Sequence, residues 1–389
     1  MRPARHTTGH PDVLAVLLAG GRGSRLAPLT DGRSKPATPF GGVYRLIDFQ
    51  LSNLAHSGIR DVWVVEQFRP FTLNQHLAGG RPWDLDGTRH GLRILPPVEG
   101  GARDGFAEGN AHALYQQAPL IRDSGAGIVV VLSADHLCTF DLRDAIDTHR
   151  DSGAELTIVT TEVAEDPSRY SVVQTEAGRI TGFDYKPATP RGNLVATEIF
   201  VYSVGPLVEA LERLAGRERE DDGEADAAGA ELGDYGESLV PSFVERGTAV
   251  EHRLEGYWRD VGTVDSFYRA HMELLEGQGV ELARPDWPVL TNSPLLPPAH
   301  VRSSAAVAAS LLSPGCDVRG TVEHSVLGPN VVVEAGAVVS RSVLLGDNIV
   351  SAGARLESVV ADVGARFDAG ARVGRTKPGP GNITVVVPS

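Results

Sequence analysis

Between residues 326 and 356 an aliphatic side chain returns every six residues, at Val326, Val332, Val338, Leu344, Val350 and Leu356. That period fits neither a helix, which repeats at about 3.6 residues, nor a flat strand, which repeats at about 2. Glycines and small polar residues separate the aliphatic positions, and aromatics almost vanish. The pattern is that of hexapeptide repeats, three short strands to a coil, stacked into a parallel β-helix. Ordinary antiparallel strands are the plain alternative, and six consecutive hits favour the solenoid. Pro285, Pro288, Pro294, Pro297 and Pro298 mark a linker. The chain therefore divides into residues 1–280, a linker over 281–300 and a repeat domain over 301–389. A solenoid leaves its end coils open, which predicts a homo-oligomer.

The first 280 residues follow another rule. Leu14–Leu18, Val62–Val65 and Ile128–Leu132 are short runs of buried-strand type. Helix candidates lie at Asp48–Ser57, Glu108–Arg122 and Asp141–Ser152. Further strands are expected at Leu156–Val163, Ser171–Thr175, Ile180–Tyr185 and Ala196–Ser203. Strands alternating with helices imply an α/β domain with a mostly parallel sheet, covered on both faces. Gly216–Gly233 is acidic, rich in Ala and Gly and without an apolar period, and reads as a solvated loop.

The chain has 389 residues and a formal charge of −14, which disfavours nucleic acid and anionic membranes as partners. No run approaches the roughly 18 to 20 apolar residues of a membrane span, and Met1–Pro11 lacks the apolar segment of a signal peptide. Cys138 and Cys316, far apart, fit a reduced, cytoplasmic compartment. A phosphate site in so acidic a molecule must be a positive island, so basic residues beside glycines are where to look.

One segment meets that requirement: Leu18-Ala19-Gly20-Gly21-Arg22-Gly23-Ser24-Arg25-Leu26, with Lys35-Pro36 following. Glycines let backbone N–H groups approach phosphate, and three cations nearby suit a triphosphate that loses pyrophosphate. It is not a Walker loop, since no Lys-Ser/Thr pair follows. Nor is it a dinucleotide fingerprint, since Leu26 stands where a third glycine is wanted. A surface turn with solvated arginines is the plain alternative. Asp135 follows the strand run Ile128–Leu132, and ligands of open α/β sheets bind at such strand ends. Asp260, in Gly256-Tyr257-Trp258-Arg259-Asp260-Val261-Gly262-Thr263, is a second carboxylate able to hold Mg²⁺. Structural roles stand equal to these: Asp135 as a cap, Asp260 as a partner of Arg259. Lys186-Pro187 follows Ile180–Tyr185, and the proline predicts an extended Lys186. His112 and His136 lack zinc-ligand spacing, and no Gly-x-Ser-x-Gly elbow is present.

These segments together resemble the ADP-glucose pyrophosphorylase (glucose-1-phosphate adenylyltransferase) family over nearly the whole chain. The resemblance rests on the Gly-rich segment, Arg33-Ser34-Lys35-Pro36-Ala37, Pro39-Phe40-Gly41-Gly42, Tyr44-Arg45-Leu46-Ile47-Asp48-Phe49, Leu51-Ser52-Asn53, Ser57-Gly58-Ile59-Arg60 and Tyr257–Thr263. It implies a Rossmann-like mixed-sheet nucleotidyltransferase domain followed by a C-terminal left-handed parallel β-helix, Mg²⁺ dependence and a dimer or tetramer. By resemblance Leu18–Ser24, Gly109 and Asn110 bind nucleotide, and Arg25 and Lys35 hold the triphosphate. Asp135 and Asp260 bind the metal, and Lys186 binds the sugar phosphate beside Tyr185, Glu198, Asp234 and Trp258. The implied reaction is attack of the sugar-phosphate oxygen on the α-phosphorus of a nucleoside triphosphate, with pyrophosphate leaving.

The departures from the family pattern cluster. Pro97-Val98-Glu99-Gly100 stands where relatives have Pro-Ala-Gln-Gln, Gly109-Asn110-Ala111 where they have Gly-Thr-Ala or Gly-Ser-Ala, and Tyr185-Lys186-Pro187 where they have Glu-Lys-Pro. Ala196-Thr197-Glu198-Ile199-Phe200 replaces Ser-Met-Gly-x-Tyr, whereas Asp234-Tyr235-Gly236 resembles the family's Asp-Phe-Gly. Gly32 replaces a lysine of some allosterically regulated relatives. Phosphate- and metal-type residues are kept while hydroxyl-reading residues change, which predicts altered specificity. The leading reading is a sugar-1-phosphate nucleotidyltransferase like ADP-glucose pyrophosphorylase, an enzyme type of glycogen biosynthesis, with ATP and GTP both open as the nucleotide. The runner-up is a purine nucleotidyltransferase of antibiotic biosynthesis acting on a cyclitol phosphate, such as valienol-1-phosphate guanylyltransferase. A non-catalytic regulatory subunit is the third.

Overall fold

The structure is a computed structural model that describes residues 12–21, 23–97, 107, 109–222, 232–376 and 381–388, the side chains of 217–222 excepted. In chain order the strands of the first domain are β1 (Val13–Ala19), β2 (Pro39–Phe40), β3 (Tyr44–Arg45), β4 (Asp61–Glu66), β5 (Leu92–Leu95), β6 (Ile128–Ser133), β7 (His136–Cys138), β8 (Leu156–Glu162), β9 (Val172–Glu176), β10 (Arg179–Asp184), β11 (Leu194–Ser203), β12 (Ala249–Arg253) and β13 (Trp258–Asp260). The helices are α1 (Leu46–His56), α2 (Pro70–Leu77), α3 (Asn110–Asp123), α4 (Leu142–Ser152), α5 (Val204–Asp222), α6 (Leu239–Glu245) and α7 (Val264–Leu275).

Nine strands form one sheet in the order β5-β4-β1-β6-β11-β8-β12-β10-β9. All seven residues of β1 are buried, and their side chains alternate between the two faces. Leu14, Val16 and Leu18 pack with α3, α5 and α6, whereas Val13, Ala15 and Leu17 pack with α1, α2 and α4. Fully burying each larger aliphatic side chain stabilises the fold by roughly 1.5–3 kcal/mol, so both layers hold the central strands. The expectation of a mostly parallel sheet needs correction. β1, β4, β5 and β6 run parallel, but β11 is antiparallel to β6 and β8, and β10 to β9 and β12, so the sheet is mixed.

Two other expectations change. Helix α5 runs through Asp222, so the first part of the expected loop Gly216–Gly233 is helical. Its charged Arg217-Glu218-Arg219-Glu220 stretch consists of good helix formers that need no apolar stripe. The middle of that loop, 223–231, lies outside the described residues, as do Glu108 and Val98–Gly100. The proline-rich stretch has no regular element, yet it is strapped to the first domain. His56 Nε2 bonds the Pro288 carbonyl at 2.7 Å, Trp287 Nε1 donates to Asn53 Oδ1 at 3.0 Å, and Leu290 N donates to Ser52 Oγ at 2.8 Å.

From His300 onward three five-stranded parallel sheets form the three sides of a β-helix. The strictly six-residue count is corrected by the register. Val322, Val339 and Leu356 are stacked partners, as are Leu327 and Leu344, so a coil is one residue short of three hexads. Leu344, Val350 and Leu356 therefore point into the core, whereas Val332 and Val338 sit beside the truly inward Val333 and Val339. Val326 turns outward and, with Val343, Leu345 and Val360, packs against Phe267 and neighbouring apolar residues of the first domain. A serine ladder follows one corner: Ser325 N donates to Ser310 Oγ, Ser342 N to Ser325 Oγ and Val359 N to Ser342 Oγ, at 3.0–3.1 Å.

Candidate active site

The site forms where β1 and β6 end. Strand β1 stops at Ala19 and the chain enters Gly20-Gly21; Arg22 lies outside the described residues. Gly23 takes a left-handed φ of 66° and its carbonyl accepts Thr30 Oγ1 at 2.9 Å. A Cβ there would crowd Lys35 and Thr30. Ser24 opens the short 3₁₀ turn Ser24–Leu26, in which Arg25 is exposed. A cleft of about 230 Å³ lies beside this loop, lined by Leu18, Gly20, Gly21, Gln67, Gly109 and Asn110, among others. A Cβ on Gly109 would come within 2.1 Å of the Gly233 carbonyl oxygen, so only glycine lets α3 start this close to the 233–234 turn.

Asp135 and Asp260 come from segments 125 positions apart and meet through backbone pairing. The short strands β7 and β13 pair antiparallel, setting Asp260 opposite His136. Both carboxylates converge on the ammonium of Lys35, which forms an ion pair with Asp135 and lies 3.4 Å from Asp260 Oδ1. Burial lowers the Lys35 pKa, but the two carboxylates more than offset that and hold it above the usual lysine range. Burial opposes the Asp135 charge, and Lys35 and His136 keep the carboxyl well below the usual range. The Ser133 hydroxyl also donates to Asp135. Neither structural alternative applies. Asp135 precedes a strand rather than capping a helix, and Arg259 gives its guanidinium to Glu273 at 2.7 Å, leaving Asp260 free to face the cleft.

Two adjoining clefts, of about 160 and 80 Å³, share Arg25, Lys35, Asp135, Lys186 and Glu198. Lys186 is not extended, as the following proline predicted; its φ is +43°. Its ammonium bonds the Tyr185 hydroxyl and sits 4.3 Å from that ring's centre. This local contact explains the turn: the lysine folds back onto its neighbour. Tyr185 in turn donates to Asp234, which also accepts Asn110 N at 3.3 Å. Thr197 is fully buried and donates to the Val159 carbonyl at 2.9 Å, so its hydroxyl does not face the cleft. Trp258 forms an aromatic wall with Tyr170 and His136, at ring distances of 5.3 and 5.2 Å.

This is the C-terminal strand edge of an α/β sheet, with a glycine turn, a buried lysine and two converging carboxylates. Residues 14–277 match the family model described as nucleotidyl transferase, and residues 297–378 match that of the GlmU-like C-terminal hexapeptide. The chain belongs to the nucleotidyl transferase family. The nucleotidyltransferase is 40% identical over 333 residues to the glucose-1-phosphate adenylyltransferase of Thermotoga neapolitana, covering 84% of this chain and 76% of the relative. It is 39% identical, with the same coverage, to the protein of that name from Thermotoga maritima. No helix among the described residues is long and apolar enough to cross a membrane.

The nucleotidyltransferase site also contains residues to which the sequence assigned no role there. His136 Nδ1 donates to the Thr197 carbonyl at 2.9 Å, and Nε2 lies 3.7–3.8 Å from Asp135, Glu198 and Asp260. Burial opposes its charge, but Glu198 and the two aspartates raise its pKa. Its adjacency to Asp135 at a strand end was the available signal. Arg169, Tyr170 and Ser171 also line the smaller cleft. Arg169 ends the short turn Pro167–Arg169, Tyr170 and Ser171 follow it before β9, and nothing in their local sequence marks them.

Proposed function

We propose that this nucleotidyltransferase transfers an adenylyl group from ATP to glucose 1-phosphate. The observation that carries this reading is the Lys35 ammonium held between Asp135 and Asp260 above the Gly20-Gly21 turn. Two carboxylates that already converge on one cation fit Mg²⁺, which takes one or two protein carboxylates and completes its shell with substrate phosphates. Asp135 and Asp260 would hold it, and it supplies charge neutralisation at the phosphate oxygens. Lys35 and Arg25 contribute further positive charge for the triphosphate, and the backbone of Gly20 and Gly21 can approach it closely. Lys186 binds the phosphate of the acceptor sugar, orienting its oxygen for in-line attack on the α-phosphorus. Positioning and charge neutralisation carry most of the rate in such transfers. Residues 1–280 act as the catalytic unit, 281–300 as a strap and 301–389 as the β-helix unit.

A second reading is favoured by the Trp258–Tyr170–His136 wall and by Tyr185 in place of a carboxylate. A less polar cyclitol phosphate, activated by GTP as in a valienol-1-phosphate guanylyltransferase, suits that wall. A non-catalytic subunit accords poorly with the assembled Lys35–Asp135–Asp260 cluster. The deciding measurement is Mg²⁺-dependent pyrophosphate release with ATP or GTP against glucose 1-phosphate or valienol 1-phosphate. ATP with glucose 1-phosphate is expected to be fastest; GTP with valienol 1-phosphate would establish the second reading, and no release from any pair would sink both. The exposed Val301, Val307 and Leu311 on the open first coil support a homo-oligomer. Sedimentation at micromolar concentration should give a dimer or tetramer, and a monomer would count against it.

A further inference from the structure

Among the described non-glycine residues with left-handed φ, Glu198 alone lies inside a strand; the others sit at turns, helix ends or coil corners. Its φ is +57°, a conformation that costs an L-residue roughly 1–2 kcal/mol. The cause is a β-bulge. β11 pairs with β8 at Ala196↔Thr160 and again at Phe200↔Ile158, so extra residues of β11 bow out of the ladder. The bulge is pinned from beneath, since Thr197 donates its hydroxyl to Val159 O and accepts His136 Nδ1–H on its carbonyl. Glycine would suit this backbone better, and glutamate stands there with its carboxylate turned into both clefts of the site.

The surroundings limit what that carboxylate can bind. Lys35 is shared by Asp135 and Asp260, and Lys186 lies against Tyr185 and Asp234 rather than Glu198. The nearest cationic group to Glu198 is His136 Nε2, at 3.7 Å and beyond hydrogen-bond reach. The Glu198 side chain remains 33% exposed to the cleft. A carboxylate so near two others repels the phosphate of a substrate and suits neutral hydroxyl donors. Ring hydroxyls are the matching chemistry, because the carboxylate, already faced by the Tyr235 hydroxyl, keeps lone pairs able to accept further O–H groups.

We infer that Glu198 is the specificity-determining residue of the acceptor pocket, reading hydroxyl groups of a polyhydroxylated ring 1-phosphate. This rests on the nucleotidyl-transfer reading above. The test uses wild type, Glu198→Gly and Glu198→Gln with glucose 1-phosphate and its monodeoxy analogues. Glu198→Gly, which relieves the backbone, should melt no lower than wild type. Its kcat/KM for glucose 1-phosphate should fall about 100-fold, as for a lost charged hydrogen-bond partner, while KM for ATP stays within about twofold. Wild type should discriminate against at least one deoxy analogue, and Glu198→Gln should lose that discrimination. Unchanged kcat/KM in Glu198→Gly, or equal discrimination in Glu198→Gln, overturns the inference and leaves nucleotidyl transfer standing. A wild type that releases no pyrophosphate with any acceptor overturns the nucleotidyl-transfer reading itself, and the inference with it.

Discussion

The sheet domain and the β-helix treat buried polar groups in opposite ways. At the strand ends of the sheet, Lys35, Asp135, His136, Glu198 and Asp260 gather charge against charge around a cleft. Inside the β-helix the buried polar groups are mostly neutral, chiefly Ser325, Ser342 and Asn348, each of which bonds backbone, and the one buried carboxylate among the described residues there, Asp362, faces the first domain. The first arrangement is costly to bury and makes sense only where a charged ligand arrives. The second satisfies corner N–H and C=O groups and serves the coil itself. The two meet through the outward face of Val326, Val343 and Val360, and through Arg33, whose guanidinium pairs with Asp362 at 2.6 Å.

The contrast predicts different kinds of damage. Lys35→Ala or Asp135→Asn should lower turnover about 100- to 1000-fold, comparable with losing one preorganised electrostatic contact; near-normal pyrophosphate release would remove both from the site. Leu356→Ala, in the β-helix core, should cost about 2–5 kcal/mol in urea unfolding while turnover per folded molecule is kept. A catalytic loss without a stability loss there would erase the distinction. Arg33→Ala breaks the bridge between the two regions and leaves Asp362 unpaired. A loss of about 2 kcal/mol is expected, below the value for full burial because both groups keep some exposure. Turnover should also drop several-fold, since Arg33 anchors the segment that carries Lys35. If stability and turnover are both unmoved, the bridge is ornamental.

The smallest effect concerns acid. Burial holds His149 and His271 neutral, with pKa values lowered to about 4. His271 is fixed in that state by accepting Gly41 N–H on Nε2 while Nδ1 donates to the Phe267 carbonyl. The unfolded chain takes up the same protons near 6.5. At these two sites the unfolded state therefore binds more protons between about pH 6.5 and 4, and their contribution to stability is lost as the pH falls. Relative to wild type, His271→Gln should lose less of its denaturant midpoint across that window. An equal slope in the variant would exclude His271 as a source.

Much of this was legible because short-range chemistry repeats or punctuates. The aliphatic hexads announced coils, and the Leu14–Leu18 run followed by glycines announced a strand and a phosphate-type turn. Asp135, one short step beyond the β6 run, was legible as a strand-end carboxylate. The slip of one residue per coil was not, because a corner can drop a residue without changing composition. The antiparallel half of the sheet was also hidden, since β8 and β11 are buried on both faces and read the same in either direction.

Sequence by itself determined the two architectures and the identity of the charged residues, because period, glycine turns and strand ends are local properties. Only the tertiary structure decided which charges meet. The pairing of β7 with β13 brings Asp260 to Asp135 across a long span of chain, and Lys35 closes the cluster. Nothing in the local sequence marks Glu198 as bowed into the cleft, since a bulge is a mismatch between two strands and belongs to neither alone. Ionisation followed from that assembly: Lys35 keeps its proton and Asp135 loses its own because each faces the other's charge, which outweighs burial.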